Sequence, residues 1–191
     1  MPTFLYDDWT SCHTRNWRRW LADLVDRPVI GVEVGALEGR SSVWFLENVL
    51  NHPGSRLYCI DPWGGSCYSG EWRGDVEGRF DSNIAPYRNR VIKLKAQSFS
   101  ILPRLICDKL RVDFCYVDGL HEGWAVLMDA LDCWRLLRPG GCMFLDDYKW
   151  IGPKGTISPG PAMDALKLIL PHDPERFDFA EDQMCFFKPK E

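Results

Sequence analysis

Short apolar runs alternate with amphipathic segments along most of the chain. Five buried strands are predicted by the apolar runs at 29–34, 57–60, 91–94, 112–117 and 142–145. The intervening helices are predicted by apolar residues at helical spacing in 41–50, 75–84, 99–107, 122–137 and 162–170. Strands that alternate with helices indicate βαβ units, and hence a mostly parallel sheet with helices on both faces.

The two ends of the chain add elements of other kinds. Near the start, apolar residues at helical spacing, two of them tryptophans, predict an amphipathic helix over 15–26. We expect this N-terminal segment, residues 1–28, to pack on the core. Near the end, 176–180 and 184–187 predict an antiparallel hairpin whose turn lies at 181–183. The length of 191 residues fits a single domain over 1–191.

Charge and cysteine spacing exclude several function classes. The net charge of -4 argues against a general nucleic-acid or membrane-surface binder, because phosphate binding needs a basic face. No apolar run approaches the ~20 residues that span a bilayer, and no signal peptide is visible. None of the eight cysteines forms a C-x-x-C pair, which argues against a paired-cysteine zinc site or redox motif. We therefore expect reduced thiols and a cytoplasmic location.

Acidic residues stand at or just beyond the carboxyl ends of the predicted strands. They are Glu33, Asp61, Asp118, Asp146 and Asp147. In open α/β sheets, ligands bind beyond these carboxyl ends. The pattern therefore predicts a ligand site at this edge of the sheet.

The first strand leads into a turn that runs from Gly35 to Ser42. Glycine lets the backbone approach a ligand closely, and Ser41 or Ser42 can direct hydroxyl or amide groups at a ligand carboxylate. The turn lacks G-x-G-x-x-G, and Glu33 opposes a bound pyrophosphate, so the residues favour a ligand with an amino group or a sulfonium over a dinucleotide. Asp61 can accept hydrogen bonds from ribose hydroxyls. The alternatives are a plain strand–turn–helix with a capping serine, and an Asx turn before the next proline.

Five short motifs occur in order at these elements. They are E-x-G-x-x-x-G-x-S from Glu33, I-D-P-W at 60–63, Y-V-D-G-L-H at 116–121, L-R-P-G-G at 137–141 and D-D-Y at 146–148. In this order the motifs resemble the class I S-adenosylmethionine-dependent methyltransferases, and most closely a compact O-methyltransferase-like group with D-G-x-H and D-D-Y signatures. The resemblance covers residues 29–187 and implies a Rossmann-like three-layer α/β/α sandwich. Its seven-stranded sheet would be mostly parallel, with an antiparallel last strand.

The resemblance implies S-adenosylmethionine as the cofactor. Its methionine part would lie at the first turn with its carboxylate on one of the serines, its ribose at the end of the second strand, and its adenine beyond the third strand. The implied cofactor-binding residues are Glu33, Gly35, Ser41, Ser42, Asp61, Trp63, Gln97, Ser98 and Asp118.

Asp118, Asp146 and Asp147 end neighbouring strands, where three carboxylates repel one another unless a cation or a proton compensates. In related metal-dependent O-methyltransferases an acidic cluster at these positions binds Mg²⁺, so the resemblance implies Mg²⁺ or Mn²⁺ here. His121 is a candidate general base for the acceptor hydroxyl. The predicted catalytic residues are therefore Asp118, His121 and Asp147. The residues leave open a backbone hydrogen bond for Asp118, a helix cap for Asp147 and a structural role for His121.

Two loops with aromatic residues, 63–75 and 148–160, flank the strand ends and predict an acceptor pocket or lid. The candidate acceptor contacts are Trp72, Tyr148, Lys149 and Trp150; the alternative for each is packing at the edge of the core. Because no inserted domain is present to recognise a macromolecule, we expect a small-molecule acceptor, a sugar or another hydroxyl compound, and neither nucleic acid nor membrane. A homodimer stays open. The predicted function is S-adenosylmethionine-dependent O-methylation; the alternatives are a nicotinamide oxidoreductase and a non-catalytic binding module on the same fold.

Overall fold

The computed structural model describes residues 2–64, 74–152 and 158–190. Its strands are β1 (Ile30–Val34), β2 (Arg56–Asp61), β3 (Val91–Lys95), β4 (Val112–Val117), β5 (Leu137–Leu145), β6 (Asp178–Ala180) and β7 (Gln183–Phe187). They form one seven-stranded sheet in the order β3-β2-β1-β4-β5-β7-β6. The first five strands are parallel, whereas β7 is antiparallel to β5 and β6 is antiparallel to β7.

Helices cover both faces of the sheet. They are α1 (Thr14–Trp20), α2 (Arg40–Asn48), α3 (Val76–Ile84), α4 (Ser98–Cys107), α5 (Gly123–Leu136) and α6 (Pro159–Ile169), with 3-10 turns at Ala22–Leu24 and Ala85–Tyr87. The side chains of β4 alternate between two buried clusters, because successive residues of a strand point to opposite faces. Phe114 and Tyr116 pack with α1, α2 and α3, while Cys115 and Val117 pack with α4, α5 and α6. The predicted Rossmann-like three-layer fold is confirmed.

The N-terminal segment contributes large aromatic side chains to the first cluster. Trp17 of α1 is fully buried, and its ring stacks on Phe45 of α2 with ring centroids 4.8 Å apart. The same ring lies edge-on against Tyr116, 5.1 Å between centroids. Across the described parts of the chain, none of the helices combines the length and the apolar character that crossing a bilayer requires.

Two local predictions were wrong. The strand predicted over 142–145 begins at Leu137, because residues 140 and 141 find backbone partners in residues 188 and 189. Helix α6 begins at Pro159 and not at residue 162, since a proline in the first turn of a helix has no backbone bond to lose.

Candidate active site

The turn after β1 lies directly against the end of β4. Gly35 has a φ of +86° and leaves no space for a side chain, because the backbone of Asp118 passes over it. The Gly35 amide donates to the Ile60 carbonyl at 2.9 Å, which ties the end of β1 to β2. The carboxyl ends of β1, β2 and β4 therefore meet at the edge of the sheet where the sequence predicts a ligand.

Glu33 of β1 is completely buried beneath the first turn of α2. The hydroxyls of Ser41 and Ser42 each donate to one oxygen of its carboxylate, and the Cys59 thiol lies 3.4 Å from one of these oxygens. Burial raises the pKa of Glu33 to about 7, against the lowering effect of these hydrogen bonds. The side chains expected to contact the methionine part of the cofactor thus face inward. In this arrangement the turn offers a ligand its backbone and not these three side chains.

Asp61 is also engaged within the protein. One carboxylate oxygen accepts the amides of Ala36 and Leu37, each at 3.0 Å, and the other accepts the Trp63 amide at 2.7 Å. Trp63 is buried against Phe80, and its indole N–H donates to the Leu37 carbonyl at 2.9 Å. Asp61 therefore fixes the conformation of the first turn, and Trp63 packs on the core beside it. The predicted ribose contact of Asp61 stays a prediction.

Gln97 and Ser98 line a narrow crevice between the start of α4 and α5. Trp124 and Leu120 form part of its apolar wall. At its floor lies Asp129, a buried carboxyl that is hydrogen-bonded to Ser98 and whose pKa burial raises to about 6. Asp129 was missed from the sequence, although an acidic residue among the apolar positions of a predicted helix was a usable signal.

The three predicted catalytic residues converge at the ends of β4 and β5. His121 Nε2 lies 3.0 Å from Asp147 Oδ2 and 3.4 Å from Asp118 Oδ1. One ligand-type atom from each of the three residues lies within 4.8 Å of the others. The Trp150 ring stands edge-on to the imidazole, with 5.1 Å between centroids. We call Asp118, His121 and Asp147 the acid–histidine cluster.

The titration behaviour of the acid–histidine cluster reflects its burial and its crowded charges. Burial raises the pKa of Asp118, and burial together with the Asp118 charge raises the pKa of Asp147 to about 7. Burial alone would lower the pKa of His121, but the Asp118 hydrogen bond and the surrounding carboxylates outweigh it and raise the pKa to about 8. At neutral pH the cluster therefore keeps a bound proton, and a bound cation could take the place of that proton.

Asp146 points away from the acid–histidine cluster. Its Oδ2 accepts the Tyr116 hydroxyl at 2.6 Å and the Gln183 amide at 2.7 Å, and its Oδ1 accepts the Asp147 amide at 2.8 Å. Gln183 is itself held by the indole N–H of Trp17, 2.8 Å from its Oε1. Three donors thus occupy the carboxylate predicted to be a metal ligand.

In the described residues, the three-ligand group at these strand ends consists of Asp118, His121 and Asp147, so His121 takes the place predicted for Asp146. Tyr116 connects Asp146 with the acid–histidine cluster, because its hydroxyl also lies 2.9 Å from Asp118 Oδ2. Tyr116 was missed because its position in an apolar strand indicates core packing. Gln183 was missed because the sequence does not show that the hairpin lies beside the strand end.

The four candidate acceptor contacts have separate surroundings. Trp150 lies beside the acid–histidine cluster, as described above. The Tyr148 hydroxyl faces the Asp164 carboxylate of α6 at 3.1 Å, and the Lys149 ammonium donates to the Glu181 carbonyl at 2.9 Å. Trp72 lies outside the described residues, as does most of the loop 63–75.

A sheet of this strand order, with a glycine turn after β1 and carboxylates at the strand ends, defines the class I S-adenosylmethionine-dependent methyltransferases. Residues 32–148 match a family model described as a methyltransferase domain, and the chain belongs to this family. The predicted resemblance to that class is confirmed. A search by sequence among curated proteins finds no significant match.

Solved structures of similar fold include enzymes with different acceptors. The MycE methyltransferase of mycinamycin biosynthesis, in complex with Mg, S-adenosylhomocysteine and mycinamycin VI, has a TM-score of 0.68 and 15% identity over 97% of this chain and 52% of its own. A TDP-rhamnose 3′-O-methyltransferase of calicheamicin biosynthesis has a TM-score of 0.64 and 13% identity, over 95% and 81%. An rRNA methylase from Streptococcus thermophilus has a TM-score of 0.61 and 10% identity, over 98% and 99%. At these identities the likeness concerns the fold.

Proposed function

We propose that this chain transfers the methyl group of S-adenosylmethionine to a hydroxyl oxygen of a small acceptor such as a sugar. The observation that carries the proposal is the acid–histidine cluster, which lies at the strand ends next to the glycine turn. In the reaction the acceptor oxygen bonds to the methyl carbon, the carbon–sulfur bond breaks, and the hydroxyl proton leaves for a base. Mycinamycin VI, present in the complex of one structural neighbour, and TDP-rhamnose, named in the description of another, support a small hydroxyl compound.

The cofactor would occupy the edge formed by the ends of β1, β2 and β4. The backbone of the turn after Gly35 would face its methionine part, because Glu33 and the two serines beside it hold the start of α2 from below. Asp61 would reach the ribose from the position in which it now fixes the turn. The crevice at Gln97 and Ser98 would take the adenine, with Asp129 beneath it as a hydrogen-bond acceptor.

The acid–histidine cluster fits a divalent cation. Two carboxylates and one imidazole converge within bonding reach of a common point, and their partial burial makes an unpaired charge costly. Oxygen-rich donor sets suit hard cations, and Mn²⁺ also accepts an imidazole. Asp118, His121 and Asp147 would therefore hold Mg²⁺ or Mn²⁺, while Asp146 and Tyr116 orient Asp118 from behind. When bound, such an ion lowers the pKa of a hydroxyl that it contacts.

His121 has a second role that is open to it without a metal. Its imidazole lies beside Trp150, and the two carboxylates would stabilise the imidazolium that forms when it accepts a proton. A raised pKa of about 8 means that this base is free only at higher pH. Metal dependence and pH dependence of the rate together distinguish the two roles.

The test is a labelled-methyl screen over sugar and phenolic acceptors, with and without Mg²⁺ or Mn²⁺, and with an RNA substrate as a further arm. We expect transfer to a small hydroxyl compound that increases with the divalent ion and falls on chelation. Transfer to RNA alone would replace the small-acceptor proposal. Calorimetry with S-adenosylmethionine, S-adenosylhomocysteine and NAD completes the test: binding of NAD alone supports the oxidoreductase alternative, and cofactor binding without transfer to any acceptor supports a binding module.

A further inference from the structure

A second group of metal-type ligands lies on the other side of Asp146. One ligand atom each from Cys12, His13 and Glu181 lies within 4.8 Å of the others. Cys12 and His13 come from the segment just before α1, and Glu181 comes from the turn between β6 and β7. The group therefore joins two parts of the chain that are far apart in sequence, and it combines sulfur, nitrogen and oxygen donors.

His13 supplies an independent indication of a ligand at this point. The residue is only 9% exposed, and among the described residues none forms a hydrogen bond with its buried Nδ1. Glu181 Oε2 nevertheless lies 3.2 Å from this nitrogen. Two ligands on ~2.0 Å bonds to one tetrahedral cation are separated by ~3.3 Å, which is close to this distance. The imidazole nitrogen and the carboxylate oxygen thus lie at the separation of two ligands of one cation, without forming a hydrogen bond with each other.

The other imidazole nitrogen of His13 has the surroundings of a metal-bound histidine. Nε2 faces Asp146 Oδ1 at 3.7 Å, which is ion-pair range and longer than a hydrogen bond. Metal-binding histidines commonly direct their second ring nitrogen at a carboxylate. The imidazole also lies nearly parallel to the Trp17 ring, at 6.3 Å between centroids, so α1 limits its rotation.

Two carboxylates lie near Cys12 and His13, and a bound cation would compensate their negative charge. Cys12 is exposed and its thiol donates to the Trp9 carbonyl at 3.2 Å, while the adjacent His13 faces the carboxylates of Glu181 and Asp146. Among the described residues, Lys149 contacts this turn, and its ammonium bonds to the backbone carbonyl of Glu181 and not to the carboxylate. A divalent ion would both ionise the thiol and neutralise the carboxylate.

We infer that Cys12, His13 and Glu181 form a second metal site, for Zn²⁺ or another cation that accepts thiolate and imidazole, which fastens the segment before α1 to the β6–β7 turn. Mg²⁺ is excluded as its natural ion because thiolate ligands select softer cations such as Zn²⁺. Three protein ligands leave one tetrahedral position for water or a further group. The inference goes beyond methyl transfer and does not depend on the acceptor or on the ion at the acid–histidine cluster.

Titration of metal-free protein with Co²⁺ tests this site, because a cobalt–thiolate bond adds a charge-transfer absorption that oxygen and nitrogen ligands do not give. We expect the band with the unaltered protein, its displacement by Zn²⁺, and no response to Mg²⁺. Cys12→Ser should abolish the band. Cys107→Ser, a change at another exposed cysteine, should retain it. Asp147→Asn should also retain it, since the acid–histidine cluster contains no sulfur.

Zn²⁺ binding and thermal unfolding test the role of the Glu181 carboxylate and the integrity of the fold. Glu181→Gln should weaken Zn²⁺ binding at least tenfold, and the thermal midpoint of the unaltered protein, but not of Cys12→Ser, should rise with Zn²⁺. Circular dichroism of Cys12→Ser shows whether the exposed substitution leaves the fold intact. A protein that gives no thiolate band, or a band that survives Cys12→Ser, overturns the assignment.

Discussion

A Cβ atom placed on Gly35 would lie 1.8 Å from the backbone oxygen of Asp118. No side-chain movement relieves this overlap, because the backbone of β1 fixes the position of the Cβ and the oxygen belongs to the backbone at the end of β4. The contact makes the position of the turn after β1 and the position of the acid–histidine cluster depend on each other. A change at Gly35 therefore has to displace one of the two strand ends.

Gly35→Ala should lower the free energy of unfolding by about 3 kcal/mol or more, because it adds a backbone overlap to the cost of a positive φ. Gly140→Ala is the matched control: its φ of +78° is similar, but its nearest contact is the flexible Lys190 side chain at 3.3 Å. The control should lose only about 1–2 kcal/mol. Denaturant unfolding measures both, and equal losses would mean that the contact with Asp118 contributes nothing.

Tyr116→Phe should destabilise the protein by about 1–2 kcal/mol and reduce methyl transfer. The hydroxyl lies between Asp118 and Asp146 and has one proton, so its loss leaves two partly buried carboxylates facing each other. Tyr148→Phe removes a hydroxyl that also meets a carboxylate, but at an exposed site, and should cost at most about 0.5 kcal/mol. If denaturation gives the two variants the same stability, Tyr116 does not hold the two carboxylates together.

Asp147→Asn and His121→Ala should each lower the rate of methyl transfer about a hundredfold or more, because both residues belong to the acid–histidine cluster, which is proposed to receive the acceptor proton. Binding of S-adenosylhomocysteine should change by less than about threefold, since neither residue lines the turn after β1. Asp132→Asn, which removes a partly exposed carboxylate paired with Arg135, is the control for loss of a charge. Rates near the unaltered value in both cluster variants would remove these residues from the mechanism.

Glu33 should make stability decrease with rising pH. Its folded pKa of about 7 lies above the ordinary value of 4.5, so the folded protein holds a proton that the unfolded chain has released. The stabilisation from this proton is complete below pH 4.5 and is lost as the pH rises through about 7. The loss is on the order of 3 kcal/mol for such a shift.

Unfolding free energies measured between pH 5 and pH 7.5 check this expectation against Glu33→Gln, whose amide cannot titrate. As the pH rises, the free energy of unfolding of the unaltered protein should decrease relative to that of the variant. A difference that stays constant over this range would show that Glu33 is ionised in the folded protein throughout.

The sequence predicted the sheet and its functional edge because both depend on local patterns. Apolar runs mark the strands, and acidic residues mark their carboxyl ends. The side-chain directions could not be predicted in the same way. Asp147 has a φ of +64°, which turns its carboxylate toward His121, while Asp146 before it turns toward Tyr116. Two adjacent aspartates look equivalent in sequence, and only the backbone conformation separates their roles.

In the turn after β1, too, the direction of the side chains could not be predicted from the sequence. A serine at the start of a helix can face a ligand or a buried carboxylate, and the motif is identical in both cases. Ser41 and Ser42 face Glu33 because that carboxylate has no solvent to hydrate it. Contacts that join distant parts of the chain, such as Trp17 with Gln183, leave no local pattern to interpret.

The hydrogen bonds from Trp17 to Gln183 and from Gln183 to Asp146 have a consequence for truncated or chimeric forms of this protein. Both the indole and the amide lie outside residues 32–148, the stretch that defines the family. A chimera that transplanted only that stretch would carry all the carboxylates and yet release Asp146 from one of the donors that hold it. Such an excised core would present a different ligand set to a cation, so its ion preference would not report that of the whole chain.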